Sequence, residues 1–194
     1  MRKLAIFFGG AALLASCQPA PAPPLPPAAP DLNNALLAPG YVAQAASSDE
    51  FEIQSGQMAL QASQSPAVRN FANMMITDHT HSTQMVLAAV RSAGLNLPPP
   101  AILPSQQALL EQLHSAGSGP AFDQTFQQIQ IQAHQQALMM HQNYAAQGDE
   151  PVLRAVAGQI VPIVQMHLQM AQQLNGAPPS PPPAPPAQRP GERG

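Results

Sequence analysis

The sequence predicts an all-α fold: a four-helix up-down bundle with one long crossover, which carries a short helix between the second and third long helices. Three observations predict it. Ala, Gln, Leu and Met, all good helix formers, are abundant through the middle of the chain. Apolar positions recur there at threes and fours. Residues that start and stop helices interrupt the pattern at regular intervals.

The first long helix is expected from about Tyr41 to Ser63, with Val42, Ala46, Asp49, Ile53, Gly56 and Leu60 along one face. Ser65-Pro66 then restarts the chain, serine as the cap and proline at the first helical position. Val68, Phe71, Met75, Ser82, Met85 and Ala89 follow at helical spacing until Gly94. Leu97-Pro98-Pro99-Pro100 forms a rigid link to a short helix over about Ser105 to Ser115. Gly117 and Gly119-Pro120 break that helix ahead of a third long one from Phe122 to Gln147, which Gly148 stops. The fourth begins at Pro151 and runs to about Leu174 on a stripe of Leu153, Val156, Ile160, Val164, His167 and Ala171, with a kink expected at Pro162. Helices of about 22–26 residues are ~33–39 Å long, and with the longer connection after the second they suit a ferritin-like topology.

The two ends have a different composition. Fifteen of the 24 prolines fall in residues 18–30 and 177–194. Such stretches bury too little apolar surface to offset the entropy of ordering. Before them, Arg2 and Lys3 precede an apolar run from Leu4 to Leu14 that ends in Leu14-Ala15-Ser16-Cys17. The run is too short to span a bilayer and has the form of a secretory signal. Its end resembles a bacterial lipobox, which implies acylation of Cys17, and Gln18 after it resembles the signal for transfer to an outer membrane. The expected organisation is a signal peptide over 1–16, a lipidated Cys17 with a linker to residue 39, a bundle over 40–176, and a proline-rich tail over 177–194. The membrane is then a partner through the lipid, and the tail, with Arg189 and Arg193, reads as a plain solvated segment or, alternatively, as a contact for peptidoglycan or an envelope protein on the periplasmic side.

Several chemistries are excluded. Between Gly40 and Gly176 three arginines face eight acidic residues, a balance against nucleic acid. Cys17 is the only cysteine, so disulfides are absent, and acylation leaves no thiol nucleophile. There is no glycine-rich phosphate loop and no Gly-x-Ser-x-Gly elbow. No tryptophan and two tyrosines give no stacking platform.

Phe51-Glu52-Ile53, Ser65-Pro66-Ala67-Val68-Arg69, Phe71-Ala72, Met75, Thr77-Asp78-His79-Thr80, Leu97-Pro98, Ala121-Phe122-Asp123, His134-Gln135, Pro162 and His167-Leu168 occur in that order at helix-compatible spacing. Over about residues 40–175 the chain thereby resembles the bacterial envelope family called domain of unknown function 4142. The resemblance implies a ferritin-like bundle in exported proteins and lipoproteins, and no established reaction.

Each long helix offers an inward polar candidate: Glu52, His79, His134 and His167, with Asp78 beside His79. His81 points away, whereas His141 follows His134 at helical spacing and can also turn inward. If their heights match, this set forms a nitrogen and oxygen site for zinc, iron or manganese. The same residues also read as a metal-free polar layer in which Glu52 accepts hydrogen bonds from imidazoles. None of the long helices carries the Glu-x-x-His pair of a di-iron carboxylate enzyme, which speaks against oxidase chemistry. A further reading is Cu(I) or Ag(I) binding through Met139-Met140-His141, Met166-His167 with Met170, and Met74-Met75 with His79, against methionine as plain core filler. Asp49 and Glu50 read as a solvated edge or an ion pair, Ser82 as ordinary, and Asp149-Glu150 as suited to the positive end of the last helix. The chain is therefore expected to be a non-enzymatic envelope lipoprotein with a binding or stress-protection role, with or without a buried metal. A metal-dependent ferritin-like enzyme and a periplasmic Cu(I)/Ag(I)-binding protein are the alternatives.

Overall fold

The computed structural model describes residues 30–99 and 101–174. The expected signal peptide, Cys17, most of the linker and the tail lie outside the described residues. Among those described there are five helices and no strands: α1 (Ala38–Ala62), α2 (Pro66–Ser92), α3 (Pro104–Ser115), α4 (Pro120–Gln147) and α5 (Pro151–Gln173). None is long and apolar enough to cross a membrane.

Every helix carries proline in its first turn, where the missing N–H has no partner to lose. This explains why α1 begins at Ala38, inside the stretch expected to be linker: Pro39 acts as a helix starter. The Asn34 carbonyl accepts from Leu37 N–H at 3.1 Å, and the chain comes so close to Gly40 that a Cβ there would lie 2.1 Å from that carbonyl oxygen. α5 continues through Pro162, whose ring removes the donor owed to the exposed Gly158 carbonyl.

Ring contacts fix the helix directions. Tyr41, at the start of α1, stacks on Tyr144, near the end of α4, with centroids 3.9 Å apart. Phe71, early in α2, meets Phe126, early in α4, at 6.1 Å. Hence α1 and α4 are antiparallel while α2 and α4 run the same way. α1 packs beside α2 and α4, and α5 beside the same two, so α2 and α4 are diagonal. Joining two parallel diagonal helices requires a connection that travels the length of the bundle. Residues 93–119 do so, and α3 lies along the outside of α1 and α4. This is the all-α bundle with one crossover that the sequence predicts.

α3 also changes which face of α1 is buried. Leu110 and Leu113 cover Phe51, which is buried, whereas Ile53 and Leu60 of the expected stripe are half-buried. Ser47 ties the crossover down by accepting from Leu103 N–H at 2.7 Å. At one pole, Arg69 donates to the carbonyls of Leu60 and Ser63, and Gly119 N–H to that of Ala62, satisfying the open end of α1. At the other, Asp149 accepts from Ala38 N–H at 2.8 Å and from the Tyr144 hydroxyl at 3.0 Å.

The apolar core comes in two clusters. One contains Phe51, Phe71, Met75, Phe122 and Phe126. The other contains Tyr41, Val86, Tyr144, Leu153 and Ile160. Between them, at one level on all four long helices, lies a layer of buried polar side chains.

Candidate metal centre

The layer is built from one histidine on each of three helices: His79 of α2, His134 of α4 and His167 of α5. Their exposures are 4%, 1% and 0%, so none can rely on bulk water for hydrogen bonding. The ring centroids form a nearly equilateral triangle with sides of 5.7, 5.5 and 5.5 Å. One nitrogen from each ring lies within 4.8 Å of the other two. Phe71 closes one side, with its ring 6.1 Å from His134 and 6.5 Å from His167.

Each imidazole is held from behind by oxygen. His79 Nδ1 is 2.8 Å from Asp49 Oδ1, His134 Nδ1 is 2.8 Å from the Gln130 carbonyl, and His167 Nε2 is 2.9 Å from Asp78 Oδ2. A carbonyl or carboxylate oxygen only accepts, so the nitrogen facing it carries the proton. The remaining nitrogens, Nε2 of His79, Nε2 of His134 and Nδ1 of His167, are buried and have no hydrogen-bond partner. Three orphaned imidazole nitrogens on rings that converge in a buried layer are costly in isolation and are what a metal ion requires. Metal–nitrogen bonds of about 2.0–2.1 Å are within reach of nitrogens grouped this closely.

The carboxylates predicted for the site are here, but behind the rings and outside the converging set. Asp78 holds His167 from the half-exposed rim. Glu52 Oε1 is 3.6 Å from His134 Nδ1, on the side away from the orphaned nitrogen, and its Oε2 has no partner. Gln130 donates to Ser55 at 3.0 Å in the same layer. Asp49, read from the sequence as part of a solvated edge or an ion pair, is buried and holds both His79 and, at 3.0 Å, the Thr83 hydroxyl. It already stood on the helical stripe of Val42, Ala46 and Gly56, which was the signal for its burial. Ser82, read as ordinary, is also buried at this level, with its hydroxyl unpaired.

Burial and charge oppose each other in the layer. Burial pushes Glu52 up to about 7, against the lowering effect of the His79 charge and of hydrogen bonds from Gln130 and Ser55. It pulls His134 down to about 3 and His167 to about 4, with the neighbouring His79 acting in the same direction. His79 is the exception. Burial works to lower it, yet the hydrogen bond to Asp49 and the charges of Asp49, Glu52 and Asp78 raise it above the ordinary histidine value.

The remaining candidates lie elsewhere. His81 is exposed, as expected. His141 is buried and its Nδ1 meets the Tyr41 hydroxyl at 3.0 Å, away from the converging nitrogens. Of the methionines proposed for copper, Met139, Met166 and Met170 are exposed, Met74 and Met140 half-buried, and Met75 is packed in the phenylalanine cluster. The converging set is thus all imidazole.

The profile of the family described as Domain of unknown function (DUF4142) matches residues 22–174. No curated protein matches the chain. Among solved structures, CopM in the Ag-bound form (by co-crystallization) is similar, with a TM-score of 0.59 and 19% identity, covering 72% of this chain and 96% of that one. CopM in the Cu(II)-bound form has a TM-score of 0.58 and 19% identity, covering 72% and 97%. At that identity the likeness shows a shared fold.

Proposed function

The chain belongs to the DUF4142 family, and we propose that it is an exported copper-binding bundle whose ligands are His79, His134 and His167. The observation that carries this reading is the set of three orphaned nitrogens, each on a ring whose other nitrogen is fixed by an oxygen acceptor. Such backing sets the tautomer and raises ligand basicity. Imidazole suits copper and zinc, and among divalent ions copper binds such donors most strongly. The similar folds solved with Ag and with Cu(II) support copper over zinc. The carboxylates of Asp49 and Asp78 stand behind the rings of His79 and His167, which favours a cation in the middle.

The site suits holding an ion better than transforming a substrate. The gap beside His79 and His167 has a volume of about 10 Å³, about one water molecule, with no room for an organic reactant. Leu14-Ala15-Ser16-Cys17 supports export and acylation of Cys17, which would hold the bundle at a membrane of the envelope, facing the periplasm.

Elemental analysis of the full chain purified from its native envelope tests the reading, beside a variant carrying His134→Ala and His167→Ala. Near-stoichiometric copper that disappears in the variant is the expected result. Zinc in its place would change the ion and keep the site. A wild-type protein without metal that also fails to take up Cu(I), Cu(II) or Zn(II) would reduce the histidines to a structural layer.

A further inference from the structure

The three nitrogens are sealed from solvent, yet an ion must reach them. The gap that touches His79 and His167 lies at the seam of α2 and α5, and its outer wall is formed by Asp78, His81, Ser82 and Met85. These four occur at i, i+3, i+4 and i+7, one stripe along α2. The stripe is graded from water to core. His81 is exposed, Met85 half-buried, and the Asp78 side chain 33% exposed while its Oδ2 touches His167. Ser82 is buried with an unpaired hydroxyl. Neither His81 nor Met85 has a place in the apolar clusters.

On the facing helix, Ile160, Ile163 and Val164 form the opposite wall. Pro162 interrupts the α5 hydrogen-bond ladder at this same level. A helix that lacks a backbone hydrogen bond bends there more readily than elsewhere.

Resting on the copper reading above, we infer that the α2–α5 seam is the path by which a soft monovalent ion, Cu(I), enters and leaves the buried site, with His81 and Met85 as its receiving ligands. An imidazole and a thioether one turn apart suit such an ion. Asp78 and the Ser82 hydroxyl provide oxygen contacts on the way in, and the nitrogen of His167 facing away from Asp78 is the first permanent ligand. Bending of α5 at Pro162 widens the seam. No bond is made or broken other than exchange of ligands on the ion.

A path differs from a site in what its loss does. Removing the path slows loading and unloading equally and leaves the equilibrium unchanged. The experiment transfers Cu(I) anaerobically from a coloured chelator to the full chain and measures stoichiometry, affinity and both rates. The double variant His81→Ala with Met85→Leu should keep the wild-type stoichiometry and affinity while both rates fall roughly tenfold, within the span that access changes produce in related complexes. Pro162→Ala, which restores the missing donor in α5, should slow both rates as well. Met166→Leu with Met170→Leu, altering exposed thioethers outside the gap, should change nothing. Wild-type rates in both seam variants would overturn the path and leave the buried site standing. Loss of equilibrium binding in the double variant would also overturn it, by making these residues ligands. A wild-type chain that takes up no Cu(I) would remove the copper reading and the path together.

Discussion

Asp49 Oδ1 and His79 Nδ1 stand 2.8 Å apart on neighbouring helices, 30 residues apart in sequence, both buried. The pair fixes the ring so that its second nitrogen faces the converging site. Replacing Asp49 with Ala removes that hold and leaves a buried N–H unpaired, which costs about 1–3 kcal/mol in the metal-free protein. Copper affinity should fall roughly 10–100-fold, as when other hydrogen-bond partners that orient a ligating histidine are lost. Asp49→Asn retains an acceptor and should lose less of both. Chelator competition and thermal denaturation separate the two effects.

Acid should destabilise the metal-free bundle through histidines held neutral by burial. His134, His141 and His167 are depressed to about 3, 4 and 4 from 6.5. Below pH 6.5 the unfolded chain binds protons that the native one refuses, so stability present above 6.5 is lost as pH falls toward 4. Glu52, raised from 4.5 to about 7, acts with the opposite sign, its contribution being lost as pH rises through that interval. A net uptake of about two protons on unfolding remains, or roughly 3 kcal/mol per pH unit when fully developed. Urea titrations between pH 4.5 and 7.5 would measure it, and a flat profile would contradict the buried neutral rings.

His134→Leu should uncouple stability from metal. The substitution deletes an orphaned buried nitrogen, and the Gln130 carbonyl it releases remains inside α4, so the metal-free protein should keep its melting temperature or gain. Wild type at free copper of 100 times its dissociation constant should gain about 3 kcal/mol, and the variant close to none. A strongly destabilised metal-free variant would show instead that His134 is there for packing.

Gly148 is required for a steric reason. A Cβ there would lie 2.6 Å from the Tyr144 ring. That ring cannot retreat, since Tyr41 is stacked on it at 3.9 Å. Gly148→Ala should cost about 2 kcal/mol by overpacking, read as a lower urea midpoint at unchanged slope.

The lipid anchor is open to a direct check. In a bacterial host, Cys17→Ala should move the protein from the membrane fraction to the soluble envelope fraction and abolish acylation by mass spectrometry. Retention in the membrane would place the attachment elsewhere.

Helix limits were readable from the sequence because they depend on local chemistry: Ser65-Pro66, Gly148 and Pro151 act within one turn. The three converging histidines were readable for a related reason, each standing on an apolar stripe whose burial is a property of one helix. What escaped depends on partners in other helices. Asp49 lies on the buried stripe, but its significance comes from His79 across the α1–α2 contact. The position of Glu52 behind His134, outside the converging nitrogens, follows from side-chain height and rotamer, which helical spacing leaves open. The clustering of Met139 with Met140, and of Met166 with Met170, suggested thioether ligands, yet the helices turn three of these four outward and leave Met140 half-buried.

The crossover that makes α2 and α4 run in the same direction also leaves α1 beginning at one pole and α5 ending at the other. Residues 38 and 173 are therefore separated by the height of the molecule, ~35–40 Å at 1.5 Å per residue. A tether that enters at residue 38 and whatever follows residue 174 would therefore meet the bundle at opposite poles. The two attachments would act at points held apart by the rigid length of the bundle, so that a pull on one is transmitted to the other along the helix axes and through the histidine layer between them.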